Sequence, residues 1–157
     1  MSNSELREKS RELDCVYSET DRLYGEFARS CGLSYSAYWI MYDIEVAGGS
    51  ATVRYIREAQ SGRPQTVNSS LKSLESKGLI SLEFEEGSRK NKVASFTDAG
   101  RAFSQERIVP AINAEAAAFG TLCERDQEEI VRLTRAYAMA VREQLEVLLA
   151  EGAEADG

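Results

Sequence analysis

Apolar residues recur at helical spacing over much of this chain. Residues 4 to 30 contain no proline, and their apolar side chains fall near one helical face: Leu6, Leu13, Tyr17, Tyr24 and Phe27. Either Ser34 or Ser36 can cap a second helix. Its apolar residues are Tyr38, Trp39, Ile40, Met41, Ile44 and Val46. The pattern predicts a long first helix and a second helix at the centre of the fold.

Two shorter helices and a hairpin follow. Thr52 can cap a third helix that has Val53 and Ile56 facing inward. A fourth helix begins at Pro64, whose missing N–H costs nothing in the first turn of a helix. From residue 80 the apolar spacing changes to two, which predicts a β-hairpin with a polar, basic tip.

Two more helical segments complete the pattern. Residues 98 to 122 predict a fifth helix with a kink at Pro110. A sixth helix starts at Asp126 and keeps one apolar stripe over about six turns, which is longer than a small domain needs for its own core. We therefore expect this helix to pack on a partner. The small, acidic residues 151 to 157 are expected to form a disordered tail.

The fourth helix gives the first indication of function. Val67, Leu71 and Leu74 form its buried stripe, so its other side faces solvent. That side is rich in amide and hydroxyl groups, which can bond base edges, and it carries a lysine that can reach guanine or phosphate. The predicted DNA-binding residues of this helix are Gln65, Thr66, Asn68, Ser69 and Lys72.

The hairpin after this helix is basic. Arg89, Lys90 and Lys92 would form an ordinary solvated turn by themselves, but beside the preceding helix they can straddle a DNA backbone or enter the minor groove. Two helices, a tight turn and a basic hairpin make up a winged helix-turn-helix, in which the second helix enters the major groove. The predicted fold class is mainly α with a small β-wing.

Charge and composition limit the alternatives. The net charge of −7 is unusual for a DNA-binding protein, but residues 50 to 101 hold nine basic and six acidic residues and are the only positive third. The chain has no His, and Cys15, Cys31 and Cys123 form no CxxC pair, so no metal site, disulfide framework, cofactor or enzyme is expected. Without a long apolar run or a signal peptide, we expect a cytoplasmic protein with no membrane partner.

Two segments resemble the MarR family of dimeric regulators. Residues 64 to 80 are similar to the family's recognition helix and its entry to the wing, and residues 96 to 101 are similar to its Leu-Thr-x-x-Gly segment. The family's wing usually carries Asp-x-Arg, where this chain has Ser88 and Lys90 with Arg89 between them. The Asp–Arg brace is therefore absent, and the residue that enters the minor groove is left open.

The resemblance implies a homodimer that represses transcription from a pseudo-palindromic operator in double-stranded DNA, with recognition helices roughly 34 Å apart. It divides the chain into an N-terminal dimerisation helix (1–31), a winged DNA-binding domain (34–101) and C-terminal dimerisation helices (102–150). The first, fifth and sixth helices of two chains would interlock.

Regulation and an alternative function stay open. Such families respond to small phenolic or lipophilic ligands, or to thiol modification. A pocket for a small aromatic ligand can be lined by Tyr24, Phe27, Tyr38, Trp39 and Tyr42, although such aromatic residues more often form core. Cys15 lies where peroxide-sensing members have a reactive thiol, but a buried, inert cysteine is the preferred interpretation. The acidic wing residues Glu83, Glu85 and Glu86 favour the alternative of a protein-docking module.

Overall fold

The computed structural model describes residues 2 to 60, 64 to 88 and 90 to 155. The helices in this part are α1 (Asn3–Ser30), α2 (Tyr35–Val46), α3 (Val53–Gln60), α4 (Pro64–Ser76), α5 (Asp98–Phe103), α6 (Val109–Phe119) and α7 (Glu124–Ala155). The strands are β1 (Ser50–Thr52), β2 (Ile80–Phe84) and β3 (Lys92–Phe96). The predicted fold class, mainly α with a small β-wing, is confirmed. We call residues 35 to 103, from α2 to α5, the winged region.

The chain forms two compact units, residues 1 to 112 and residues 113 to 157. The core of the first unit is centred on α2, whose Tyr38, Ile40, Met41 and Ile44 are fully buried. The other helices and the sheet add Val53, Ile56, Val67, Leu71, Leu74, Ile80, Ala94 and Phe96. Each large apolar side chain in this core contributes roughly 1.5–3 kcal/mol relative to an exposed one. The inward faces predicted for the third and fourth helices are confirmed.

Hydroxyl groups cap four of these helices: α1, α2, α3 and, through Thr97, α5. Ser2 caps α1, and Ser34, one of the two predicted candidates, accepts a hydrogen bond from the Ala37 N–H at the start of α2. Thr52 Oγ1 accepts from the Tyr55 N–H at 3.1 Å and caps α3 as predicted.

The sheet is antiparallel, with strand order β1-β3-β2. In this sheet Ser95 lies opposite Ser50 on one side and Ser81 on the other. Strand β1 was not predicted, because three residues are too short to show an alternating pattern. It forms because β3 offers a second edge to pair with.

The predicted fifth helix is interrupted before Pro110. A π-helical segment, Ser104–Ile108, separates α5 from α6, and α6 ends at Phe119 rather than near residue 122. Pro110 has no N–H to donate to the carbonyl four residues earlier, and a π turn just ahead of it is a known way to absorb such a gap.

The second unit contains α7, which begins at Glu124 and continues to Ala155. Its backbone is therefore helical five residues into the stretch predicted to be a disordered tail, because alanine and glutamate favour helices. Its apolar stripe is exposed in the chain and includes Ile130, Leu133, Val141, Leu145 and Leu148. None of the helices in the described residues is long and apolar enough to cross a membrane.

Candidate nucleic-acid interface

Packing of α4 against the core decides which of its side chains face solvent. Val67, Leu71 and Leu74 are buried. All five residues predicted to contact DNA are exposed: Gln65, Thr66, Asn68, Ser69 and Lys72. The structure therefore gathers these side chains on one open face, and their contact with DNA stays a prediction.

A groove with a volume of about 690 Å³ lies between α3, α4 and the hairpin of β2 and β3. Among the described residues its basic lining side chains are Arg54, Arg57, Lys72, Lys90 and Lys92. Its acidic lining side chains are Glu58 and Glu85. The groove therefore has a net positive lining, although the whole chain carries a charge of −7.

The two arginines of α3 are site residues that the sequence analysis missed. Val53 and Ile56 face the core, so Arg54 and Arg57 project from the outer side of the same helix. The spacing of three between the arginines could have revealed their common face.

Their partners differ. Arg54 Nε lies 2.9 Å from Glu58 Oε1 on the same helix. Arg57 Nη2 instead donates to Asn68 Oδ1 on α4 at 2.8 Å. The second contact joins a basic residue of α3 directly to a predicted base-contacting residue.

The tip of the wing is organised by Ser88. Its Oγ accepts hydrogen bonds from the backbone N–H groups of Lys90 and Asn91, at 3.2 and 2.9 Å. This hydroxyl occupies the position where the family pattern has Asp, and it holds the backbone turn. Lys90 and Lys92 are exposed, and Lys92 Nζ lies 5.4 Å from the Phe84 ring centroid in a cation–π contact. Arg89, the third predicted wing residue, lies outside the described residues.

Two hydrogen bonds and a close backbone contact connect the wing to the C-terminal end of α4. Thr97 Oγ1 donates to the Gly78 carbonyl at 2.6 Å and accepts from the Gly100 N–H at 3.0 Å. Gly100 packs so closely on the backbone that a Cβ atom there would lie 1.7 Å from the Leu79 carbonyl oxygen. This contact explains why the segment that follows the wing needs Thr and Gly three residues apart.

A polar contact also joins α2 to α3. Gln60 Nε2 donates to Asp43 Oδ2 at 2.6 Å. Partial burial raises the pKa of Asp43, and the hydrogen bond from Gln60 opposes part of that rise.

The predicted ligand-pocket residues form a cluster at the contact of α1 and α2. The ring centroids of Tyr24 and Trp39 are 4.8 Å apart, those of Trp39 and Tyr42 are 5.1 Å apart, and those of Phe27 and Tyr38 are 5.7 Å apart. The sequence therefore identified side chains that do meet. A ligand pocket among them stays a prediction.

Cys15 differs from its expectation. Its side chain is exposed in the chain, whereas a buried cysteine was expected. The reason is that α1 joins the core only near its C-terminal end, where Ala28 is the helix's one buried residue among those described.

The fold is that of a winged helix-turn-helix protein, and several solved structures share it. AbsC, a MarR family transcriptional regulator from Streptomyces coelicolor, aligns over 91% of this chain and 97% of its own, with a TM-score of 0.72 and 16% identity. NMB1585, a MarR family regulator from Neisseria meningitidis, aligns over 93% and 98%, with a TM-score of 0.71 and 21% identity. The resemblance to the MarR family is therefore confirmed in the fold.

A third structure, of BpsR from Bordetella bronchiseptica, aligns over 82% of this chain and 91% of its own, with a TM-score of 0.65 and 18% identity. DNA binding by BpsR is regulated by 6-hydroxynicotinic acid. No family model matches the sequence, and no curated protein is significantly similar to it.

Proposed function

We propose that this protein is a sequence-specific, double-stranded DNA-binding transcription regulator that acts as a repressor. The observation that carries the proposal is the exposed polar face of α4 beside a basic groove. Amide and hydroxyl side chains on such a helix can bond base edges in the major groove, while lysines of the wing neutralise phosphates. The MarR family fold supports the same function.

We also propose that the DNA-binding form is a homodimer. Most large apolar side chains of the α7 stripe are about half exposed, including Leu133 at 51% and Leu145 at 52%. A second copy would cover such a stripe and bring two winged regions onto one DNA face. The operator is then a pseudo-palindrome with half-sites about one DNA turn apart.

For regulation we propose a small aromatic ligand bound at the cluster around Trp39. The rings at the contact of α1 and α2 supply an apolar, polarisable surface. A ligand bound there would change DNA affinity by favouring one spacing of the recognition helices. Titration of Trp39 fluorescence with a panel of aromatic acids is expected to give a saturable change, and a flat response across the panel would exclude this mode of control.

Selection of duplexes from fragmented genomic DNA, followed by a gel-shift assay, tests the main proposal. We expect the wild type to enrich a pseudo-palindrome and the Gln65→Ala and Asn68→Ala variants to bind it at least about tenfold more weakly. Gln144→Ala, which removes an exposed amide from α7, is the matched control and should bind as the wild type does. Failure to enrich any sequence at low salt would contradict the proposal.

A second candidate is a protein-docking module. Glu83, Glu85 and Glu86 are exposed on the wing, and Glu85 lines the groove beside the lysines. This acidity weakens attraction to phosphate. The dependence of duplex affinity on salt separates the two functions, because a docking module should show almost no counterion-release slope.

A further inference from the structure

We infer that Arg57 is a positioning residue for base recognition, because its guanidinium holds the side-chain amide of Asn68 in one orientation. The inference rests on the proposed function and extends it. It assigns a role in sequence specificity to a residue of α3, outside the recognition helix α4.

The chemistry of the pair fixes which end of the amide faces Arg57. Arg57 Nη2 lies 2.8 Å from Asn68 Oδ1. A guanidinium has five N–H donors and no acceptor, so only the carbonyl oxygen of the amide can bond to it. Exchanging the two ends of the amide would place NH₂ against a cation and break a charge-assisted hydrogen bond. Asn68 therefore has one preferred orientation.

A fixed amide favours one kind of base edge. Adenine presents the N7 acceptor beside the N6 donor in the major groove, and asparagine matches both when Nδ2 donates and Oδ1 accepts. The carbonyl oxygen has two lone pairs, so Oδ1 can accept from Arg57 and still accept from a base. Guanine presents two acceptors, which an amide in fixed orientation cannot satisfy. Without Arg57 the amide can rotate until its NH₂ group alone faces the base, where it can donate to an acceptor of either purine.

The position of the pair suits this role. Arg57 and Asn68 are both exposed and both line the groove, so both side chains are accessible to a bound duplex. Arg54 is on the same helix as Arg57 and lines the same groove, but it forms an ion pair with Glu58. Arg54 therefore provides a matched control that removes an equal charge without removing the partner of Asn68.

The test compares base preferences at each position, using the full-length protein and a library of randomised DNA duplexes. We expect Arg57→Ala and Asn68→Ala to flatten the preference at the same base pair of each half-site, by about tenfold. The double variant should be no flatter there than Asn68→Ala alone. Arg54→Ala should keep the wild-type preferences, and Arg57→Lys, which retains a charged donor, should restore part of the lost one.

A loss of affinity that is the same for all duplexes would overturn the inference. If Arg57→Ala weakens binding to all duplexes alike, lowers the salt slope by about one and leaves every base preference intact, Arg57 is a phosphate contact and the inference is wrong. Should the alanine variant fail to fold, Arg57→Met keeps the aliphatic stem, removes all donors and gives the same comparison. If the wild type itself selects no sequence, the proposed function has failed.

Discussion

The winged region and helix α7 use their apolar residues in opposite ways. In the winged region apolar side chains from four helices and the sheet meet around α2, and most are buried by their own chain. In α7 no described residue is buried, and its large apolar side chains face outward. The winged region thus has its own core, whereas the apolar stripe of α7 is left exposed by the chain, as the proposed dimer requires.

Charge follows the same division. Residues 50 to 101 hold nine basic and six acidic residues, whereas residues 102 to 157 hold five basic and eleven acidic ones. The proposed DNA-binding surface needs cations, whereas the proposed dimer surface does not. The net charge of −7 therefore hides a basic segment, residues 50 to 101, and a strongly acidic one, residues 102 to 157.

The largest expected effect comes from breaking the winged region at Gly100. A Cβ in Gly100→Ala would lie 1.7 Å from the Leu79 carbonyl oxygen, so backbone must move. We expect a loss of about 3 kcal/mol or more in the free energy of unfolding, measured by urea denaturation. Gly78→Ala is the matched control, because Gly78 has a positive φ that disfavours alanine but no atom near the added Cβ, so this substitution should cost only about 1 kcal/mol. Equal losses for both variants would disprove the steric explanation.

The next effect should appear in α7. Leu145→Glu places a charge in the exposed apolar stripe, which two copies would have to bury. We expect the dimer dissociation constant to rise by about 100-fold or more, as measured by analytical ultracentrifugation, while the winged region stays folded. Gln144→Glu adds the same charge at the neighbouring polar position and should leave the dimer intact. A Leu145→Glu protein that dimerises normally would refute the proposed role of this stripe.

The same division explains what the sequence could predict. The buried faces of α2 and α4 were visible because their apolar residues recur at helical spacing and lie over one core. Once the buried face of α4 was assigned, the opposite side of the helix could be predicted to face solvent. The aromatic cluster was also found, because its residues lie on two predicted helices, α1 and α2, that pack together.

Features that depend on contacts between distant residues were missed. Strand β1 exists because it pairs with β3, and the Arg57 contact exists because α3 and α4 meet. Neither has a local pattern. The exposure of Cys15 was also mispredicted, because a helical stripe does not tell which part of a long helix reaches the core.

A smaller effect is expected when cations are removed from the wing, which tests whether the charge of the groove attracts DNA. Removing Lys90 and Lys92 together takes two cations from the groove. We expect Lys90→Gln/Lys92→Gln to weaken DNA binding by about tenfold and to reduce the salt slope by about two, with base preferences unchanged. Binding isotherms at several salt concentrations provide the measurement. As a control, Arg132→Gln and Arg135→Gln together remove the same charge from α7, and an equal loss of affinity there would mean that net charge, not the groove, attracts DNA.

The smallest effect concerns Asp43, inside the winged region. Partial burial raises its pKa in the folded protein above the unfolded value of 3.8, so the folded state binds more protons just above that pH. The ionised form therefore opposes folding, and its cost develops as the pH rises from about 4 towards neutrality. Asp43→Asn keeps an oxygen for the Gln60 hydrogen bond and removes the charge. We expect it to gain less than about 1 kcal/mol in the free energy of unfolding at neutral pH, since Asp43 is only half-buried, and to gain nothing near pH 4. A variant that is less stable than the wild type at neutral pH would show that the hydrogen bond to the ionised carboxylate outweighs its desolvation.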